Sequence, residues 1–166
     1  MAISFASIGK GYAADRVKDM WLKKNVTSGV INASGDMCVI GSRTTNSPWK
    51  VGIADPVLPD KTLLYIPLTN ASIATSGDYE QFFMHQGERY SHTLDPTSGF
   101  PVKGVKSVSL VSVSSELADA LATAVFVLGV KVGLHFIQQL PGTHCIIIDA
   151  KNKLHFSKSI KFEYSK

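Results

Sequence analysis

Apolar and polar positions alternate along this chain in two rhythms, a helical one near the start and again past residue 114, and a strand-like one between and after. Tyr12, Ala13, Val17, Met20 and Trp21 give one apolar face to a helix running to about Lys24, with Asp15, Arg16, Lys18 and Asp19 turned outward. Gly29–Asn32 and Met37–Ile40 are expected to be short strands about the turn Ala33-Ser34-Gly35-Asp36, where Gly35 supplies a positive φ. Trp49–Ile53, Leu63–Leu68 and Ser72–Thr75 continue the strand pattern. Glu80–Met84 and Arg89–Leu94 then flank a hairpin turn at Gln86-Gly87-Glu88. Ser107–Val113 alternates over a longer strand. Ser114 or Ser115 caps a helix over Glu116–Leu128, Gly129 breaks it, and a second helix runs from about Lys131 to Leu140 before Pro141-Gly142. His144–Ile148 is a buried strand with Leu154–Ser157 as its hairpin partner. No repeat, low-complexity segment or linker interrupts the pattern. It predicts one mixed α+β domain over residues 1–166, a largely antiparallel sheet with packed helices.

Composition narrows the function classes. With 45% hydrophobic and 18% charged residues over 166 positions, the chain has enough apolar side chains for a real core and is not of disordered type. The apolar runs Ala120–Val130 and Cys145–Ile148 are too short or too broken to cross a bilayer. The net charge of +4 is spread thinly over Lys23-Lys24 and Lys151, Lys153, Lys158, Lys161 and Lys166. Without interleaved aromatics this reads as solvated surface, and no nucleic-acid partner is expected. Cys38 and Cys145 lie in apolar strands and read as buried free thiols, and no cysteine or histidine spacing suggests zinc. Met1–Gly11 has neither the basic start nor the long apolar stretch of a signal peptide, so the chain as it stands is expected in the cytoplasm.

Candidate chemistry centres on Ala118-Asp119-Ala120-Leu121-Ala122-Thr123-Ala124. Asp119 and Thr123 fall one helical turn apart on one face, roughly 5–6 Å between Cβ atoms, among alanines that leave room for a substrate. A carboxylate and a hydroxyl suit a hard cation such as Mg²⁺, which completes its shell with water and phosphate oxygens; the same pair in many helices simply faces water. In Ser7-Ile8-Gly9-Lys10-Gly11-Tyr12, a glycine-flanked lysine at a helix start suits a phosphate cradle, or is a helix-start turn with a solvent lysine. The spacing fits neither the Walker A nor the dinucleotide fingerprint. His92, on the strand before Asp95-Pro96, offers an imidazole able to accept a proton near neutral pH, or is a structural or exposed histidine. Asn32, Asp36 and Asp95 are explained by turn chemistry alone.

Taken together, Ser7–Asp15, Asn32-Ala33-Ser34-Gly35-Asp36, Trp49–Ile53, Ala74-Thr75-Ser76-Gly77-Asp78-Tyr79, Tyr90–Gly99 and Ala118–Ala124 resemble, in order, the motifs of the ApbE family of flavin transferases. The resemblance implies an α+β fold that binds FAD and Mg²⁺ and moves FMN from FAD onto a Ser or Thr hydroxyl of a partner protein, releasing AMP. By position it implies that Asp119 and Thr123 bind Mg²⁺ with the backbone carbonyl of Ser7. It also implies that Lys10 contacts FAD, that His92 deprotonates the acceptor, and that Ser76, Gly77 and Asp78 line the pocket. The match covers roughly the later half of the family pattern. Members usually carry a preceding portion with a Met-Gly-Thr type motif, part of the flavin and adenine pocket and a lipoprotein signal, which would place a full-length protein in the periplasm or on a membrane. Departures are Ser4 where Asp is common, Ser34 for the first glycine of a Gly-Gly-Asp turn, and Ser91 where a second histidine often stands. The alternatives are a non-catalytic flavin-binding or partner-binding remnant, and a hydrolase giving FMN and AMP. An apolar face left where further chain would pack favours self-association.

Overall fold

The computed structural model describes residues 4–45, 47–58, 60–79 and 81–165. Helix α1 (Gly9–Lys23) leads into β1 (Gly29–Ala33) and β2 (Asp36–Ile40), followed by β3 (Trp49–Ala54), β4 (Thr62–Leu68) and β5 (Ala71–Gly77). The hairpin β6 (Phe82–His85) and β7 (Glu88–Ser91) precedes β8 (Val105–Ser112), helix α2 (Ser115–Ile137), β9 (His144–Asp149), β10 (Leu154–Phe156) and β11 (Glu163–Tyr164). The six-stranded sheet runs β1-β2-β5-β8-β9-β10, a three-stranded sheet runs β11-β4-β3, and β6 and β7 form a two-stranded sheet. Every paired neighbour is antiparallel, so the fold is the mixed α+β class expected.

The central sheet is apolar on both faces because successive residues point to opposite sides. On one face Ala74, Val108, Leu110, Cys145 and Ile147 pack against Ala118, Ala122, Val125 and Phe126 of α2. On the other, Ile73, Val111 and Ile146 meet Val51, Ile53, Leu64 and Ile66 of the smaller sheet. This two-sided burial is why Cys145–Ile148 reads as an unbroken apolar run. Each fully buried aliphatic side chain contributes about 1.5–3 kcal/mol of apolar transfer, so the core rests on these two interfaces. Cys38 and Cys145 are buried free thiols, and burial pushes the Cys145 thiol up to about 11.

Several expectations change. Ser115–Ile137 is, by length and composition alone, apolar enough to cross a membrane, longer than the run counted from sequence. Gly129 (φ 75°, ψ 178°) nevertheless breaks it, as expected, and its inner side packs on the sheet as a core helix. The part beyond Gly129 ends at Ile137 rather than Leu140. The strand expected to reach Leu94 ends at Ser91, with Leu94 forming an isolated bridge to Pro101. β5 extends through Gly77, and β11 was not foreseen. Glu80, placed in a strand from sequence, and Lys166 lie outside the described residues.

The largest correction concerns α1. Tyr12, Ala13 and Met20 are exposed, and the buried positions are Gly11, Ala14 and Asp15. Small residues face inward because α1 lies directly against the start of α2. A Cβ on Gly11 would stand 2.3 Å from the Ser115 carbonyl oxygen and 2.8 Å from Asp119 Cβ. Asp15, expected outward, turns in and satisfies the start of α2. Its carboxylate accepts the N–H groups of Ser115 and Glu116, each at 3.1 Å, and the Ser114 hydroxyl at 2.8 Å. Ser114 Oγ in turn accepts the Leu117 N–H at 3.1 Å, the cap expected there. Burial disfavours the charged form of Asp15. The amides of Glu116 and Ser115, the Ser114 hydroxyl and Lys18 together outweigh it and hold the carboxyl below its ordinary 3.8.

Two outcomes are expected. Asp15→Ala lowers stability by about 2–3 kcal/mol in chemical denaturation at neutral pH, because charged hydrogen bonds to buried amides are lost. Since the folded carboxyl titrates below the unfolded one, this contribution is fully present above 3.8 and fades as the pH falls below it, so parent and variant converge in acid. Gly11→Ala forces the helices apart and costs about 1–3 kcal/mol; a melting temperature equal to the parent's would show that the contact is not tight.

Candidate active site

The helix contact brings one end of α1 to the side of α2, and a cleft of about 720 Å³ opens there. Ser4, Ala6, Ser7 and Lys10 line it from the start of the chain, Ser34 from the β1–β2 turn, and Thr75 and Ser76 from β5. Gln81, His92 and Thr93 come from the base of the β6–β7 hairpin, and Asp119 and Thr123 from α2. Six of the eight residues singled out from sequence therefore share one wall or another of it: Ser7, Lys10, Ser76, His92, Asp119 and Thr123. Gly77 and Asp78 do not line it. Gly77 is buried under the Tyr79 ring, and Asp78 turns aside to Arg89 at 3.7 Å. Burial pushes the Asp78 carboxyl up, against the pull of Arg89 and Lys106.

Asp119 and Thr123 project from the same side of α2, as their spacing requires. Asp119 is 5% exposed, and its Oδ2 accepts the Gly11 N–H at 2.9 Å. The close backbone approach that Gly11 permits is thus made to α2. The Thr123 hydroxyl lies 3.0 Å from Ser76 Oγ, tying α2 to the central sheet at the cleft wall. Lys10 reaches back over the sheet, its Nζ 3.1 Å from Asp36 Oδ2.

Asp36 is the residue that turn chemistry under-read. The turn itself is as expected: Ser34 and Gly35 have φ of 55° and 99°, and Asn32 Oδ1 accepts the Gly35 N–H at 2.9 Å. Asp36, however, is buried, with Oδ1 accepting the Thr75 N–H at 3.2 Å. Burial raises its carboxyl above the ordinary value; Lys10 opposes this and the nearby Asp119 charge adds to it. The signals in the sequence were an acidic residue opening an otherwise apolar strand and its place as the last residue of the turn motif Asn32–Asp36.

His92 is exposed at the hairpin base, and its Nδ1 lies 2.9 Å from the Gln81 carbonyl oxygen. A carbonyl can only accept, so the hydrogen-bond network places the proton on Nδ1 and leaves the Nε2 lone pair for another proton. Ser91, which stands where a second histidine was noted, is buried and its Oγ accepts the Thr93 N–H at 3.1 Å. Beside the polar cleft runs an apolar groove of about 560 Å³ that shares Ser7, Thr93 and Thr123 with it and is walled by Leu94, Ala124, Leu128 and Phe136. The site thus joins a polar, charge-bearing half to an apolar half.

Among the described residues no three His, Cys, Asp or Glu side chains gather as a metal cage. The donors at the cleft are instead a carboxylate and hydroxyls. Such a set fits a hard cation that takes the rest of its shell from water and substrate, and not a zinc-type ion.

Comparison with known proteins places this arrangement. The family model described as ApbE family matches residues 1–147. The FAD:protein FMN transferase of Treponema pallidum is 32% identical over 170 residues, covering 96% of this chain and 47% of its own length. The ApbE protein of Thermotoga maritima superposes with a TM-score of 0.86 at 37% identity, covering 95% of this chain and 52% of that one. The Pseudomonas stutzeri flavinyl transferase ApbE superposes at 0.79 with 32% identity, over 94% and 49%. The chain spans about half the length of the curated relatives it matches. The two-sided antiparallel sheet, the site built between its two helices and these matches agree, and the chain belongs to the ApbE family.

Proposed function

We propose that this chain supplies the metal, base and pyrophosphate side of a flavin-transfer site. FMN passes from FAD to a Ser or Thr hydroxyl of an acceptor protein with release of AMP, in a reaction that requires Mg²⁺. The observation that carries this reading is the convergence of Ser7, Lys10, Ser76, His92, Asp119 and Thr123 on one cleft. The names of the family relatives support the flavin and the protein acceptor. The charge balance among the described residues supports the metal: the Lys10 ammonium stands with two carboxylates, Asp36 and Asp119. A pyrophosphate alone would meet net negative charge, and a divalent cation reverses that sign.

Asp119 and Thr123, with the backbone carbonyl of Ser7, would hold the ion. When bound, Mg²⁺ neutralises the pyrophosphate oxygens and stabilises the charge that builds on the departing phosphate. Gly11 fixes the Asp119 carboxylate from behind, and Ser76 does the same for Thr123. Lys10 brings a compact positive charge to the same oxygens. His92 Nε2 takes the proton of the acceptor hydroxyl as that oxygen bonds to the FMN phosphorus. The bond from this phosphorus to the bridging oxygen breaks, and AMP leaves with the oxygen. The apolar groove beside Thr123 suits the flat, weakly polar part of the dinucleotide. Because His92 is exposed, water also reaches it, and without an acceptor the same site would release FMN.

The test uses the chain with FAD, Mg²⁺ and a peptide bearing an Asp-Gly-(any)-Ser/Thr-Gly-Ala-Thr motif. AMP release and flavin-labelled peptide are expected, both abolished by chelation. Free FMN without labelling selects the hydrolase, and FAD binding without turnover selects a non-catalytic flavin-binding protein. His92→Ala is expected to slow transfer by about 10²-fold or more with little change in FAD affinity measured by fluorescence quenching. Asp119→Ala is expected to raise the Mg²⁺ concentration needed for half-maximal rate; a variant matching the parent in either assay ends that residue's role.

A further inference from the structure

We infer that Asp36 is a positioning residue whose buried carboxylate holds the Lys10 ammonium at the cleft for the pyrophosphate of a dinucleotide. The inference rests on the flavin-transfer reading for its substrate, and on separate geometry for Asp36 itself. Lysine is a long side chain with several rotatable bonds, and Lys10 stands on the first turn of α1 with its side chain about one-third exposed (36%). Asp36 is the opposite: a short side chain, 2% exposed, at the first position of β2 inside the six-stranded sheet.

Its two oxygens are divided between two tasks. Oδ1 accepts the Thr75 N–H from the neighbouring strand at 3.2 Å, and Oδ2 faces Lys10 Nζ at 3.1 Å. Thr75 is itself held, its hydroxyl 2.8 Å from Ser109 Oγ on β8. The carboxylate is therefore referenced to the rigid centre of the sheet, and the ammonium to the carboxylate. An ammonium carries more than one donor, so contact with Asp36 is compatible with donation to phosphate oxygens as well. The pairing also has a cost that a purely structural ion pair would not choose. Asp36 places negative charge near a site for an anion and near Asp119. A buried carboxylate in that position is explained if orienting Lys10 outweighs the repulsion.

Two readings separate this from a structural role. The full chain and Asp36→Asn are treated with an amine-acetylating reagent, and each lysine is followed by mass spectrometry. Lys10 is expected to react more slowly than the exposed Lys23 and Lys24 in the parent, and several-fold faster in the variant, with Lys23 and Lys24 unchanged. FAD affinity with Mg²⁺, read by flavin fluorescence, is expected to fall about tenfold or more in Asp36→Asn, as misplacement of a charged group predicts. The same change is expected to have no effect in a Lys10→Ala background, since both act through one contact. Unchanged Lys10 labelling, FAD affinity that is unchanged or tighter, or an equal loss with and without Lys10 overturns the inference. A parent chain that binds no FAD removes the flavin-transfer reading instead, and the labelling alone then decides whether Asp36 holds Lys10. If Asp36→Asn loses its cooperative melt, Asp36→Glu takes its place. Lys10 is then expected to stay protected with FAD affinity reduced, and labelling equal to that of Lys24 overturns the inference.

Discussion

The contact between the Gly11 N–H and the Asp119 carboxylate is the constraint on which the rest of the site depends. It exists only because α1 lies close enough to α2 that no side chain fits between them at this point. One turn further along α1, Asp15 closes the start of α2, and Lys18 flanks it, reaching Asp15 at 3.3 Å and the Val113 carbonyl at 3.2 Å. A single inward stripe of Gly11, Ala14 and Asp15 thus fixes the register of two helices. That register decides where Lys10 stands relative to Asp119 and Thr123.

The sheet supplies the other half of the frame. Its two apolar faces hold α2 on one side and the three-stranded sheet on the other, so β5 is locked between β2 and β8. The polar residues at the cleft end of β5, Thr75 and Ser76, then face Asp36 and Thr123 without any strand having to move. Positive and negative groups sit close together there because each is held by a separate element: Lys10 by α1, Asp36 by β2 and Asp119 by α2. The cleft is organised for a ligand that carries charge, and the groove next to it for one that carries an apolar ring.

Much of this was legible in the residues. Strand alternation gave β1 to β5, β8 and β9 nearly to their ends, and Ser114 and Gly129 marked the start and the break of α2. The i, i+4 pair and the glycine-flanked lysine pointed to one site, as did His92 once the family motifs were set side by side. What failed was burial on α1, since helical periodicity rewards large apolar residues. The inner stripe here is made of small ones and a carboxylate that satisfies another helix. Tyr12, the most prominent apolar residue of that helix, is exposed, with the Arg16 guanidinium over its ring at 5.3 Å. Asp36 was hidden for a related reason: a turn residue and a buried ion-pair partner look alike until the opposite strand is known. Gly77 and Asp78 were assigned to the pocket with Ser76 by position in the family motif, but the Tyr79 ring covers Gly77 and Asp78 turns toward Arg89.

Three side chains at the cleft are aimed by main-chain groups: Asp119 by the N–H of Gly11, Asp36 by the N–H of Thr75 and His92 by the carbonyl of Gln81. A peptide group is supplied by almost any amino acid, so the bearings of carboxylate and imidazole do not depend on which residues occupy positions 75 and 81. The contact to His92 thus sets no demand on the side chain at position 81, whereas Thr75 is also held through its hydroxyl to Ser109. Position 11, which must leave room for a second helix, has no such latitude.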